Sequence, residues 1–340
     1  VHRRQPARQR LRLPAALAAA VVLGLAACSG GAAPAADDAT DATPAVPGFP
    51  LALENCGETV TLDAPPERVV LLETAPVTIL DALGVLDRVV ARAGSFAPGY
   101  YDADLAARIE QIPVLSDDLD TTGHLELSQE VVIAQSPDLV LGLPNGTTRA
   151  GLRDAGAEAL VAPNFCAGDT EPTTFGSLDD LIREYGAVFD RRDEAEALVT
   201  DLERRVSGVE ERVAGTPTRT AAVLYPTPGG GALYSYGTAS MATPQLAAAG
   251  FTNVFDDVAE RVVEISVEEL VARDPDVLVL LGQGDVSGLA DDLAALPGAS
   301  SLRALQDGAV LSQLFNFTEP PSPLAVDGLE RIADTFGSRP

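Results

Sequence analysis

The side chains in this chain best suited to chemistry are tyrosines and a repeated acid. Five of the six tyrosines, Tyr100, Tyr101, Tyr225, Tyr234 and Tyr236, fall in or beside Gly- and Pro-rich connections, although aromatics are only 5% of the chain. A tyrosine offers a flat apolar face and a polar tip, which suits capture of a rigid ring or chelate. Packing at a strand edge or in a core is the plain alternative for each. The repeated acid stands in "LSQEVVIAQSPDLVLG" (127–142) and again in "ISVEELVARDPDVLVLLG" (265–282). Glu130 and Glu268 each precede a Pro-Asp and an apolar run by the same interval. Ser128 or Ser266 can cap a helix whose first turn holds the acid. Either acid alone reads as capping; its recurrence in both halves calls for a further reason.

Several chemistries are excluded by what is missing. The chain has no Lys, so a P-loop lysine, a lysine Schiff base and a Ser–Lys dyad cannot form. It has no G-x-S-x-G and no H-E-x-x-H, and its Gly-rich runs do not match G-x-G-x-x-G. Of two histidines, only His124 lies beyond the first few residues, which removes most imidazole acid–base schemes. An enzyme is therefore not expected. A direct metal site is not expected either, because His124 stands alone and transition-metal sites recruit several imidazoles or thiolates. His124 reads as a surface or satisfied histidine. A net charge of −27 argues against a nucleic-acid partner and fits a solvated acidic surface.

The first residues read as an export signal. "HRRQPARQRLR" is basic and "LPAALAAAVVLGLA" is apolar but short for a membrane span. "LAAC", ending at Cys28, resembles a bacterial lipobox, which would make Cys28 the lipidated terminus. An ordinary signal peptide with an incidental cysteine is the alternative. Residues 28–50 are rich in Ala, Pro, Asp and Thr and read as a disordered tether. Two cysteines remain, Cys56 and Cys166. In an exported chain such a pair suggests a disulfide, here closing a loop of roughly 110 residues and worth about 4–5 kcal/mol in the chain-entropy model.

Short apolar runs alternate with amphipathic segments, which argues for βα units on mostly parallel sheets. Strands are expected at 68–72, 88–94, 138–142 and 158–163, and again at 219–225, 232–237, 276–282 and 308–312. Between these halves, 194–213 carries apolar residues at 3- and 4-residue steps, the signature of one long helix. The expected fold is α/β, with two Rossmann-like lobes joined by one long helix and a ligand cleft between them. The expected divisions are a signal at 1–27, a lipidated tether at 28–50, a lobe at 51–174, a linking helix region at 175–215 and a second lobe at 216–340.

Ligands of such folds sit against loops leaving the C-terminal strand ends. Those loops nominate Thr74, Tyr100, Tyr101, Asn145, Tyr225, Tyr234, Tyr236, Thr238, Met241, Asn316 and Phe317 as ligand-binding residues. Arg149 joins them as a group that could reach an anionic ligand, or else as a solvated helix-start arginine.

Taken together, "PPERVVLLETAPVTILDALGVLDRVV" (65–90), the two Glu–Pro-Asp units, the long middle helix, the lipobox and the "ENCG" opening resemble a known family. This is the helical-backbone class of substrate-binding proteins of ABC importers, the opening being similar to actinobacterial members. The resemblance covers about residues 53–336. It implies an iron chelate (a ferric siderophore) as ligand, with cobalamin, haem or another organic cofactor as the second choice and no resident cofactor. It implies that Glu130 and Glu268, one per lobe, meet the two subunits of an ABC permease, with Glu269 an adjacent claimant. It also implies a monomer outside the membrane, lipid-anchored. A sensory or structural lipoprotein is the rival from another class. A stiff linking helix would keep lobe movement small.

Overall fold

The structure is a computed structural model that describes residues 46–117, 125, 127–166, 168, 170–227 and 231–337. The expected signal, Cys28, the first part of the tether and His124 lie outside the described residues.

The described chain begins with a hairpin, β1 (Leu51–Asn55) and β2 (Glu58–Leu62). Its two-residue turn is Cys56-Gly57, both at positive φ, the conformation that matches the twist of paired strands. Then come β3 (Val69–Leu71), α1 (Pro76–Ala82), β4 (Val89–Ala93), α2 (Ala103–Glu110) and β5 (Val114–Ser116). The first lobe ends with α3 (Gln129–Ile133), β6 (Leu139–Leu141), α4 (Arg149–Asp154) and β7 (Glu158–Leu160). Its sheet is wholly parallel, in the order β5-β4-β3-β6-β7.

Two helices follow, α5 (Phe175–Val188) and α6 (Arg192–Val213). The long helix read from the 194–213 pattern is α6. The sequence reading did not resolve α5, which a reciprocal Thr174–Ser177 capping box starts. Asp190, at φ 54, turns the chain between the two. Gly186 lets them approach: a Cβ there would lie 2.5 Å from the Ala195 Cβ.

The second lobe contains β8 (Arg219–Pro226), β9 (Leu233–Tyr236), α7 (Ala242–Ala248), β10 (Phe251–Asn253), β11 (Val262–Ile265) and α8 (Val267–Arg273). It closes with β12 (Val277–Gly282), α9 (Leu289–Ala295), α10 (Arg303–Gln306), β13 (Val310–Leu314) and α11 (Pro323–Phe336). Its sheet is mixed, in the order β11-β9-β8-β12-β13, with β10 pairing the start of β8. Every residue of β12, "VLVLLG", is buried. An uninterrupted apolar strand is what a sheet covered on both faces requires.

The repeated unit does the same structural work in both lobes. α3 and α8 end where Ser136 and Asp274, each just before proline, take positive φ. The Pro-Asp carboxylates then pin the start of the neighbouring strand. Asp138 accepts from the backbone N–H groups of Glu67 (2.7 Å) and Arg68 (3.0 Å), just before β3. Asp276 accepts from the Thr220 N–H (2.9 Å) in β8. These bonds tie the start of each strand to its neighbour.

The lobes are braced along one side. Arg205 of α6 forks onto Glu330 and Asp327 of α11, and α11 and α6 both pack on α1. The expected disulfide is present, joining the hairpin turn at Cys56 to Cys166 beyond β7.

Candidate functional site

A cavity of about 390 Å³ opens between the lobes, at the C-terminal ends of the parallel strands. From the first lobe come Leu72, Glu73 and Thr74 after β3, Ser95 and Tyr100 after β4, Leu143 and Asn145 after β6, and Phe165 after β7. From the second come Arg261 before β11, Gln283 after β12, and Phe315 and Asn316 after β13. The wall thus mixes aliphatic and aromatic surface with amides and a few hydroxyls, the usual make-up of a small-molecule site.

Three of the nominated residues form its floor and tie the lobes together. The Asn316 side-chain amide donates to the Thr74 hydroxyl (2.6 Å), and the Asn316 backbone N–H donates to the Tyr100 hydroxyl (3.1 Å). Tyr100 also packs edge-on against Phe317, ring centroids 5.5 Å apart. Burial pushes its phenol up to about 12, so it stays neutral. Asn145, the fourth nominee in the wall, lies on the loop after β6.

The remaining nominees do not line the cavity. Tyr101 is half-buried against Tyr100, and its buried hydroxyl has no hydrogen-bond partner among the described residues. Tyr225 meets Phe315 edge-on (5.8 Å), and the buried Tyr236 packs behind the same ring. Tyr234 is half-buried on β9. Thr238 donates to the Val258 carbonyl (3.3 Å), while Met241 and Phe317 are core residues. Arg149 is buried in the first lobe, where its guanidinium donates to the Ala159 carbonyl and the Asn55 side-chain oxygen. It holds the hairpin against β7 and is not among the cavity-lining residues.

The cation in the wall is Arg261. Its guanidinium pairs with Glu319 (3.1 Å) and lies 5.0 Å over the Phe165 ring of the opposite lobe. Glu319 is fully buried and also accepts from the Met241 N–H (2.7 Å) and the Asn164 amide (3.4 Å). Burial pushes its carboxyl up, and Arg261 opposes that shift. Glu73 differs. Burial raises its pKa to about 7, and no described residue hydrogen-bonds to its carboxyl or pairs with it.

The sequence reading named the loops that hold Glu73, Gln283 and Phe315 but not these side chains. Phe165 was signalled only by its neighbour Cys166. Arg261 precedes an antiparallel strand and breaks the βα rhythm, so no pattern marked it.

Glu130 and Glu268 are both exposed, in the first turns of α3 and α8. The Ser266 hydroxyl caps α8 by accepting from the Glu269 N–H (3.1 Å). Ser128 makes no such cap. Its hydroxyl and Glu130's own N–H instead hold the Glu130 carboxylate below the usual range, the backbone bond being the larger cause. Glu269 is engaged by Arg273 (3.1 Å).

Comparison with known proteins agrees with this architecture. Residues 69–312 match the family described as periplasmic binding protein. A protein of the ABC-type Fe3+-hydroxamate transport system from Saccharomonospora viridis is 55% identical, with a TM-score of 0.82 over 85% of this chain and 100% of that one. The cobalamin-binding protein of Halobacterium salinarum is 27% identical over 300 residues, 85% of this chain and 74% of the relative. A periplasmic heme-binding protein from Pseudomonas aeruginosa shares the fold at 22% identity, with a TM-score of 0.65 over 81% of this chain and 94% of that one. With two α/β lobes enclosing a cavity and a match across most of its length, the chain belongs to the periplasmic binding proteins, extracytoplasmic substrate-binding components of ABC import and not enzymes.

Proposed function

We propose that this protein captures a ferric hydroxamate-type siderophore in the interlobe cavity and delivers it to an ABC permease. The observation that carries the reading is the wall itself. Its polar groups are mainly amides and hydroxyls, Asn145, Gln283, Asn316, Ser95 and Tyr100, set among apolar and aromatic surface. Its guanidinium is already paired with Glu319. Such a wall suits a chelate whose iron is wrapped in an organic shell of low net charge, not a polyanionic complex. The likeness to the Saccharomonospora viridis protein supports the same ligand class.

Cobalamin is the second reading, favoured by the likeness to the Halobacterium salinarum protein; haem or another organic cofactor stands behind it. Lipid on Cys28, followed by the tether, would keep the protein at the outer face of the membrane as a monomer. Glu130 and Glu268 would orient it on the two permease subunits, since separated charge pairs fix register more than they add affinity. Among the described residues Glu268 has no ion pair, which suits it to this better than Glu269, which Arg273 occupies.

Calorimetric and fluorescence titrations test the ligand. The chain has no Trp, so its emission comes from tyrosine, and Tyr100 lines the cavity. A ferric trihydroxamate should quench that emission and bind more tightly than cobalamin or haem. Tight cobalamin binding without trihydroxamate binding would reverse the assignment.

A further inference from the structure

Glu73 lies two residues after β3, the central strand of the first sheet, and its side chain crosses the end of β6 into the cavity wall. Gly142 makes that crossing possible. It sits at φ +98, and a Cβ there would come within 2.6 Å of the Glu73 Cγ. The neighbouring Thr74 hydroxyl is taken by Asn316. Across the cavity Arg261 is committed to Glu319. Behind Glu73 stands the buried phenol of Tyr185 on α5, and Tyr100 lines the wall from the loop after β4. The other wall residues from the ends of β4, β6 and β7 carry no charge. Among the described residues, Glu73 is therefore the ionisable group of the wall that has no counter-ion.

Glu73 is partly exposed to the cavity, and an unpaired carboxylate confined in such a wall is costly. A ligand that supplies the missing cation regains that cost, and an anionic ligand adds repulsion to it. Resting on the reading of the cavity as a chelate site, we infer that Glu73 is a specificity-determining residue that receives an ammonium group of the bound chelate. The cavity then selects neutral-core chelates bearing such a group over anionic ones. No covalent bond changes. In the empty protein near neutrality the carboxyl is partly protonated, since burial holds its pKa at about 7. Binding an ammonium favours the carboxylate, and the displaced proton passes to solvent.

The test uses the full chain and a matched pair of probes: a ferric trihydroxamate with a pendant ammonium, and the same chelate with that amine acetylated. A charge-assisted bond to a desolvated carboxylate predicts a preference of about tenfold for the ammonium form at pH 8. The preference should shrink to about threefold or less at pH 5.5. In Glu73→Gln, which keeps the shape and mimics the protonated acid, it should vanish at both pH values. Titration at pH 7 in buffers of different ionisation enthalpy should show proton release in the parent and none in the variant. Equal binding of both probes at pH 8, or a preference that survives in Glu73→Gln, overturns the inference and leaves the chelate reading standing. Failure of both probes to bind overturns the chelate reading and the inference with it.

Discussion

At the scale of single residues, the cavity shows two acids handled in opposite ways. Glu319 is buried with a full set of donors, while Glu73 is left to its own protonation. The second arrangement has a consequence for stability. The Glu73 pKa in the folded chain lies above its ordinary value of 4.5, so its contribution is fully present below that pH and is lost as pH rises through about 7. Glu73→Gln should therefore match the parent near pH 4.5 and exceed its stability by about 2–3 kcal/mol at pH 8. Urea unfolding at the two pH values measures this; an equal gap at both would show that Glu73 is not desolvated. Arg261→Met removes the cation from a fully buried carboxylate. The expected loss is about 2–3 kcal/mol at pH 8, less at pH 5, where Glu319 can take up a proton more readily. Chemical denaturation across pH would expose a flat profile if the pair were dispensable.

At the scale of elements, the disulfide matters for more than chain entropy. It spans 110 residues and bolts the loop after β7 to the hairpin turn. Of the two residues before Cys166, Phe165 lines the cavity and stacks under Arg261, and Asn164 donates to the buried Glu319 that pairs with Arg261. Replacing Cys56 and Cys166 by Ser should lower the unfolding free energy by about 3–5 kcal/mol. It should also weaken ligand binding severalfold, because the aromatic side of the wall loses its anchor. Titration of the double variant decides the second point; unchanged affinity would mean that β7 alone holds the loop. The α5–α6 pair is equally demanding. Gly186→Leu would drive a side chain into Ala195 and the Arg191 carbonyl, an overpacking cost of about 1–3 kcal/mol visible as a lower melting temperature.

At the scale of the whole molecule, the lobes are held by rigid parts rather than by a loose linker. α6 is clamped to α11 through Arg205, and both pack on α1 of the first lobe. Asn316–Thr74 and the Thr173 N–H to Thr238 carbonyl bond (2.9 Å) cross between the halves as well. Ligand binding should then produce little compaction in small-angle scattering, and a large fall in radius of gyration would contradict the brace. Glu130 and Glu268 belong to this scale too: both are exposed and neither lines the cavity, so the role proposed for them is a contact with a partner. Glu130→Ala with Glu268→Ala should leave ligand affinity intact and abolish uptake. Lost affinity in that double variant would place these acids in a different role.

The eight strands read from apolar runs, the long α6 and the duplicated unit were legible in the sequence, because they depend on local periodicity and on proline and glycine punctuation; β1, β2, β5, β10, β11 and α5 were not. The pairing of Cys56 with Cys166 followed from compartment and count. The function of the repeated Pro-Asp was not legible: Asp138 and Asp276 pin strands that begin about seventy and about fifty-five residues away, contacts that exist only after the sheets assemble. The same limit governed the cavity. Loops could be assigned to the strand ends, but a loop does not say which side chain faces inward. Tyr225 and Tyr236 therefore pack on Phe315, Tyr234 does not line the cavity, Arg149 turns into the first lobe to serve Asn55, and Arg261 takes the cation's place. Tertiary structure alone decided those assignments, because burial and charge pairing are set by what the opposite lobe presents, and no local pattern in the chain encodes that neighbour.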